Sequence, residues 1–268
     1  TIFSVSKILL IASFASLTVF GILLSWGIAF LLAVSISILL ILPHLYLRYR
    51  AKLIIKKKYI SHMFRYSIGN YIVGIFGSAP GFLLPLIIVE ILSSEKTAYF
   101  AVSWMIAYFL FTIPISVSRS LFAEGSTFEK NFKEDLKKAI KFLTLLLSIG
   151  IVVVAIGSKE ILSIGFGKLY AENAANVLRL FTLSALPVSI NTLYTAIKRV
   201  EKRTKEITMI YGFIAIGTIG LSVVLLKEVG LIGVPIAWII TQSATTPVTL
   251  KGIYYVMTHG LDKTNNIK

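Results

Sequence analysis

Residues 28–47, IAFLLAVSISILLILPHLYL, carry no charged side chain, and the stretch that follows, RYRAKLIIKKKYISHMFR (48–65), carries seven cations and no anion. An apolar run of about 20 residues is long enough, as a helix, to cross the ~30 Å hydrocarbon core of a bilayer. A cation-rich segment directly after such a run is the usual mark of a cytoplasmic loop. Working outward from this pair, comparable apolar runs recur along the chain. Eight spans are expected, at roughly 8–25, 28–47, 67–92, 97–118, 139–157, 174–196, 207–226 and 231–250. The first two meet at Trp26 and Gly27, which predicts a hairpin there. The third holds Pro80 and Pro85 after Gly74 and Gly77, which predicts a kinked helix. The fold class expected is all-α, a polytopic transmembrane helix bundle.

Composition supports this. Of 268 residues, 56% are hydrophobic and 15% charged, and the mean hydropathy is +0.86. Soluble domains carry about 25% charged residues, so a water-soluble fold of this size lacks the polar residues to cover its surface. Disorder requires low hydrophobicity and is excluded as well. The chain has no Cys, which removes disulfides, thiolate metal sites and Cys nucleophiles. The net charge is +15. In a soluble protein that excess would suggest nucleic acid. Here it is assigned to loops beside a membrane lipid bilayer, and no nucleic-acid partner is expected. Because Thr1 rather than Met opens the chain, it is read as a fragment or a processed chain.

Charge also orients the spans. With the first span starting in the cytoplasm and strict alternation, 22 of the 27 Lys and Arg fall on the cytoplasmic side and five (Lys96, Lys159, Lys168, Arg179 and Lys227) on the outer side. Both ends are then cytoplasmic, and the location expected is the cell membrane. The basic stretch 48–65 is expected as a solvated loop or as a segment on the inner leaflet. Residues 123–138 are read as an exposed helix start. The outer stretch SKEILSIGFGKLYAEN (158–173) is read as a short helix and turn at the interface.

No spacing reads as an enzyme. HExxH, GxSxG and P-loop patterns are absent, and His44, His62 and His259 do not cluster. No catalytic residue, metal ligand or cofactor is assigned. The strongly polar residues inside the spans say more, because such groups usually face a bundle interior or a wet cavity. Arg179 lies inside the sixth span, Arg119 ends the fourth after Ser116 and Ser118, and Glu90 sits in the outer third of the third. Asn70, Asn191 and Gln242 complete the set. All six are candidates for substrate binding, with guanidinium forks suited to a phosphate. Against this, Arg119 can snorkel to the interface, Arg179 can pair with Glu90, and the amides can bridge helices. Trp104, Trp238, Tyr99 and Tyr108 are read as lipid-facing or packing residues.

Four segments carry a family resemblance: RYSIGNYIVGIFGSAPGFLLPLII (65–88), AYFAVSWMIAYFLFTIPISVSRSLFAEGS (98–126), ILSIGFGKLYAENAANVLRLFTLSALPVSINTLYTAIKR (161–199) and GLIGVPIAWIITQ (230–242). Their order and spacing resemble the C-terminal half of a polysaccharide-unit flippase of the multidrug/oligosaccharidyl-lipid/polysaccharide exporter superfamily. One departure is Phe-Ala-Glu at 122–124, where the family commonly has Phe-Pro-Glu. The resemblance implies two pseudo-symmetric six-helix lobes. Residues 1–47 would be the last two helices of the N-terminal lobe, 48–65 a basic cytoplasmic linker, 66–258 the C-terminal six-helix lobe and 259–268 a polar cytoplasmic tail. The missing N-terminal lobe would be a partner. The implied function is movement of a polyprenyl-phosphate-linked oligosaccharide from the cytoplasmic to the outer leaflet by alternating access, for surface polysaccharide biosynthesis. Two alternatives are a cation-coupled multidrug exporter of the same superfamily, with Glu90 as its acid, and a membrane-embedded glycan transferase or ligase. The latter would be expected to carry a larger outer loop than 158–173.

Overall fold

Helices account for every regular element among the described residues, which are 2–14, 18–45, 57–127 and 131–261 of a computed structural model. The chain divides into two compact units, Thr1–Ile60 and Ser61–Lys268.

In the first unit, α1 (Ile2–Ser13) and α2 (Thr18–Ile36) form a helical hairpin. Phe3 meets Trp26 edge-on at 6.5 Å, and Lys7 Nζ lies 4.8 Å from the centroid of Trp26. The expected turn at Trp26 and Gly27 is therefore corrected: both residues lie inside α2, which runs from Thr18 to Ile36. A single Gly costs a helix only about 1 kcal/mol against Ala. Opening backbone hydrogen bonds in hydrocarbon costs several kcal/mol per group, so the helix continues through Gly27. At 12 residues, α1 is about 18 Å long at 1.5 Å per residue, short of a full crossing. Beyond Ile36 the helix widens to a π turn over Ser37–Ile41 and closes as α3 (Leu42–Leu45). Pro43 accounts for the widening, because its ring would strike the carbonyl four residues back in a regular α-helix. Residues 48–56 of the basic stretch 48–65 lie outside the described residues, as does the end of the tail at 262–268.

In the second unit, α4 (Lys57–Ile91) runs unbroken through Pro80 and Pro85. Next come α5 (Ser94–Thr127), α6 (Phe132–Ile156) and the short α7 (Ser158–Phe166), which matches the helix and turn expected at 158–173. The sixth expected span is broken into α8 (Lys168–Leu183) and α9 (Ala185–Val200) at Ser184. Pro187, three positions beyond the break, has no N–H to donate back to Leu183. Ser184 Oγ donates to Phe181 O at 2.6 Å and helps to satisfy the freed carbonyls. The chain ends in α10 (Thr204–Val229) and α11 (Gly233–His259), joined by the 3-10 turn Gly230–Ile232.

Six described stretches are long and apolar enough to cross a membrane, and the last of them, Thr204–His259, is the folded-back pair α10–α11. The chain is thus a helical, multi-pass membrane protein. The eight separate spans expected are not reproduced, since α1 is short and α2 takes in parts of two of them. The α8–α9 stretch is the axis of the second unit: 72% of its apolar window is buried, against 17–33% for the other stretches of that unit.

The helix ends sort into two groups. At one end Lys133 Nζ donates to Thr258 O (3.3 Å), and Gly125 sits against Phe132 and Val200. At the other, Tyr99 and Tyr170 meet at 5.1 Å and Ser103 Oγ donates to Ala174 O (3.2 Å). The first group carries the cations of 119–141 and 198–205 together with Lys251. The second carries Lys96, Lys159, Lys168, Arg179 and Lys227. Within this unit the cations are therefore unequally divided between the two groups.

Candidate functional site

Midway along the second unit, α4, α5, α9, α10 and α11 leave a cavity of about 140 Å³. Close approach of α4 and α10 shapes one side: a Cβ on Gly77 would stand 3.3 Å from the Tyr211 ring. Trp104 and Trp238 also line the cavity and meet edge-on at 5.1 Å, with Phe181 5.1 Å from Trp104. The two tryptophans expected as packing residues do pack, and they also face the cavity. Trp238 Nε1 is buried and has no hydrogen-bond partner. Gly77 and Tyr108, the latter 49% exposed, are the exposed residues of the lining.

One wall is polar. Asn191 on α9 is 3% exposed, and its Nδ2 lies 2.7 Å from Gln242 Oε1, 2.8 Å from Thr245 Oγ1 and 3.0 Å from Gln242 O. An amide NH₂ has two hydrogens, so one of them is shared. Thr249 Oγ1 donates to Asn191 Oδ1 at 2.8 Å. Beside this network, Thr241 Oγ1 and Thr218 Oγ1 are 2.6 Å apart and link α11 to α10. The lining therefore offers amides, hydroxyls and aromatic faces, and it contains no carboxylate and no imidazole.

Of the six candidates, the structure brings Asn191 and Gln242 together at this cavity. Arg119 is exposed on α5 and lines a neighbouring pocket. Arg179 lies elsewhere: its Nε donates to Ala155 O (3.1 Å) at the end of α6, and its Nη1 donates to Asn176 Oδ1 (3.2 Å). Glu90 is exposed near the end of α4, and the two form no ion pair among the described residues. Asn70 is half-buried on α4, beside Gly69 and its neighbour Thr204. Sequence reasoning missed Thr245 and Thr249. They stand three and seven positions after Gln242, a spacing that places all three on one helix face. Arg199 and Tyr211 were missed too, and only tertiary packing brings them near the site. Among the described residues, no three His, Asp or Glu gather as a metal site.

No family model, curated protein or solved structure matches this chain.

Proposed function

We propose that this chain is part of a flippase that carries a polyprenyl-phosphate-linked oligosaccharide from the cytoplasmic to the outer leaflet by alternating access. The cation-rich ends face the cytoplasm of a cell membrane. The second unit supplies one six-helix lobe: α4, α5, α6, the broken α8–α9, α10 and α11. The observation that carries this reading is the polar and aromatic cavity inside a bundle of membrane-crossing helices. A sugar head group needs hydrogen-bond partners to leave water. Amides such as Gln242 provide them, and aromatic faces cover the apolar side of a sugar ring. At about 140 Å³ the cavity is below the ~300–1,000 Å³ of pockets that enclose a whole drug-sized ligand. The second unit's cavity is therefore read as one wall of a larger site in the intact protein. Glu90, the acid a cation-coupled exporter would use, is not among the lining residues.

Proteoliposomes holding the full-length protein and a fluorescent prenyl-phosphate sugar test the reading. Sugar appearing on the opposite face is the expected result. Tyr108→Ala, which removes an exposed side chain of the lining, should slow that appearance roughly 2- to 12-fold, the worth of one aromatic contact at about 0.5–1.5 kcal/mol. No movement of the lipid-linked sugar by the intact protein would end the proposal.

A further inference from the structure

A second pocket, of about 180 Å³, lies toward the cation-rich end, between α5, α9 and α10. Arg119 and Arg199 both line it, with Ser118 beside them. Neither arginine forms an ion pair among the described residues. The acids nearest Arg199 in sequence are already committed: Glu201 and Glu206 hold Lys198 at 2.8 and 3.2 Å, and Glu206 also holds Arg203 at 3.2 Å. Arg199 Nε is buried without a hydrogen-bond partner. Ser118, only 7% exposed, has a hydroxyl in the same state. A buried guanidinium N–H and a buried hydroxyl left without partners around one small space are costly unless a ligand completes them, and the exposed Arg119 adds a second cation at its mouth.

We propose that this pocket binds the phosphate of an anionic membrane lipid, held by the Arg119 and Arg199 forks and by the Ser118 hydroxyl. Planar guanidinium forks match phosphate oxygens in pairs. Basic pockets between membrane helices near a charged leaflet are suited to lipid head groups. The pocket shares Ile115, Thr192 and Tyr211 with the aromatic cavity. A substituent on the phosphate therefore meets the Ile115 side chain and the Tyr211 ring, which favours a lipid over free phosphate. The phosphate site stands beside the aromatic cavity and shares part of its wall. It does not depend on the transport reading, and binding is measured without transport.

The test uses the purified full chain in phosphatidylcholine nanodiscs doped with phosphatidic acid, with retained lipid read by native mass spectrometry. Phosphatidic acid should be enriched around the wild-type chain, and millimolar inorganic phosphate should leave that enrichment in place. Arg119→Gln with Arg199→Gln should reduce it at least tenfold, whereas Arg179→Gln, at the opposite end, should leave it unchanged. If the double variant loses helicity, Arg119→Gln alone carries the test, because that side chain is exposed, and a several-fold loss is expected. Unchanged enrichment in the folded arginine variants overturns the proposal. So does an equal loss in Arg179→Gln, which would mean general charge attraction. Displacement by inorganic phosphate overturns the lipid assignment.

Discussion

Gly233→Ala is expected to destabilise the α10–α11 hairpin by about 1–3 kcal/mol, the usual cost of overpacking. A Cβ at this position would stand 2.6 Å from the Leu225 carbonyl carbon and 2.7 Å from its oxygen. Those are backbone atoms of α10 and cannot rotate away. The backbone at Gly233 has φ −57°, ordinary for a helix, so the cost is a collision and not strain. Relief requires α11 to move off α10, which stretches the 2.6 Å contact between Thr218 and Thr241. Gly220→Ala is the matched control, because a Cβ there meets nothing within 4 Å. Reversible unfolding in mixed micelles should show Gly233→Ala unfolding well before Gly220→Ala. Equal stability of the two variants would mean that the hairpin is not closed as described.

Asn191→Leu is the second large effect. It keeps the number and branching of the side-chain heavy atoms and removes both halves of the amide. The contacts to Gln242 and Thr245 disappear, and Thr249 loses its acceptor. Interhelical hydrogen bonds in membranes are worth about 0.6 kcal/mol on average and up to about 1.7. Three or four of them lost together correspond to roughly 2–4 kcal/mol of helix association. Asn191→Ser should recover part of this, because a hydroxyl can both donate and accept. The same unfolding measurement checks both variants. Leu and Ser variants that are equally stable would show that burial, not hydrogen bonding, holds α9 to α11.

Much of the architecture was legible in the sequence because lipid imposes two rules that act locally. An apolar run of sufficient length must be a helix, and cations gather at one end of the helices. The ends of α5, α6, α9 and α11 follow both rules. What escaped depended on choices between equivalent apolar residues. Gly27 resembled a turn, but a helix tolerates it, and α2 runs through it from Thr18 to Ile36. The sixth expected span looked like one helix, yet Ser184 and Pro187 break it in two. The α5 helix passes its expected end at 118 and continues to Thr127, with Gly125 against Phe132 and Val200. Site residues divide in the same way. Asn191 and Gln242 were visible as amides at membrane depth. Arg179 carried the same kind of signal, but its guanidinium is used on the α6 terminus, an interaction across 24 positions that no local pattern announces.

The account rests on helices that cross a bilayer with their cation-rich ends on one side. The chain contains no Cys, so single cysteines placed on it report unambiguously to a membrane-impermeant thiol reagent. In sealed cells, Lys168→Cys and Lys227→Cys should label from outside, while Lys137→Cys and Lys202→Cys should label only after the membrane is opened. Labelling of all four from the same side, or recovery of the chain in the soluble fraction, would contradict the account.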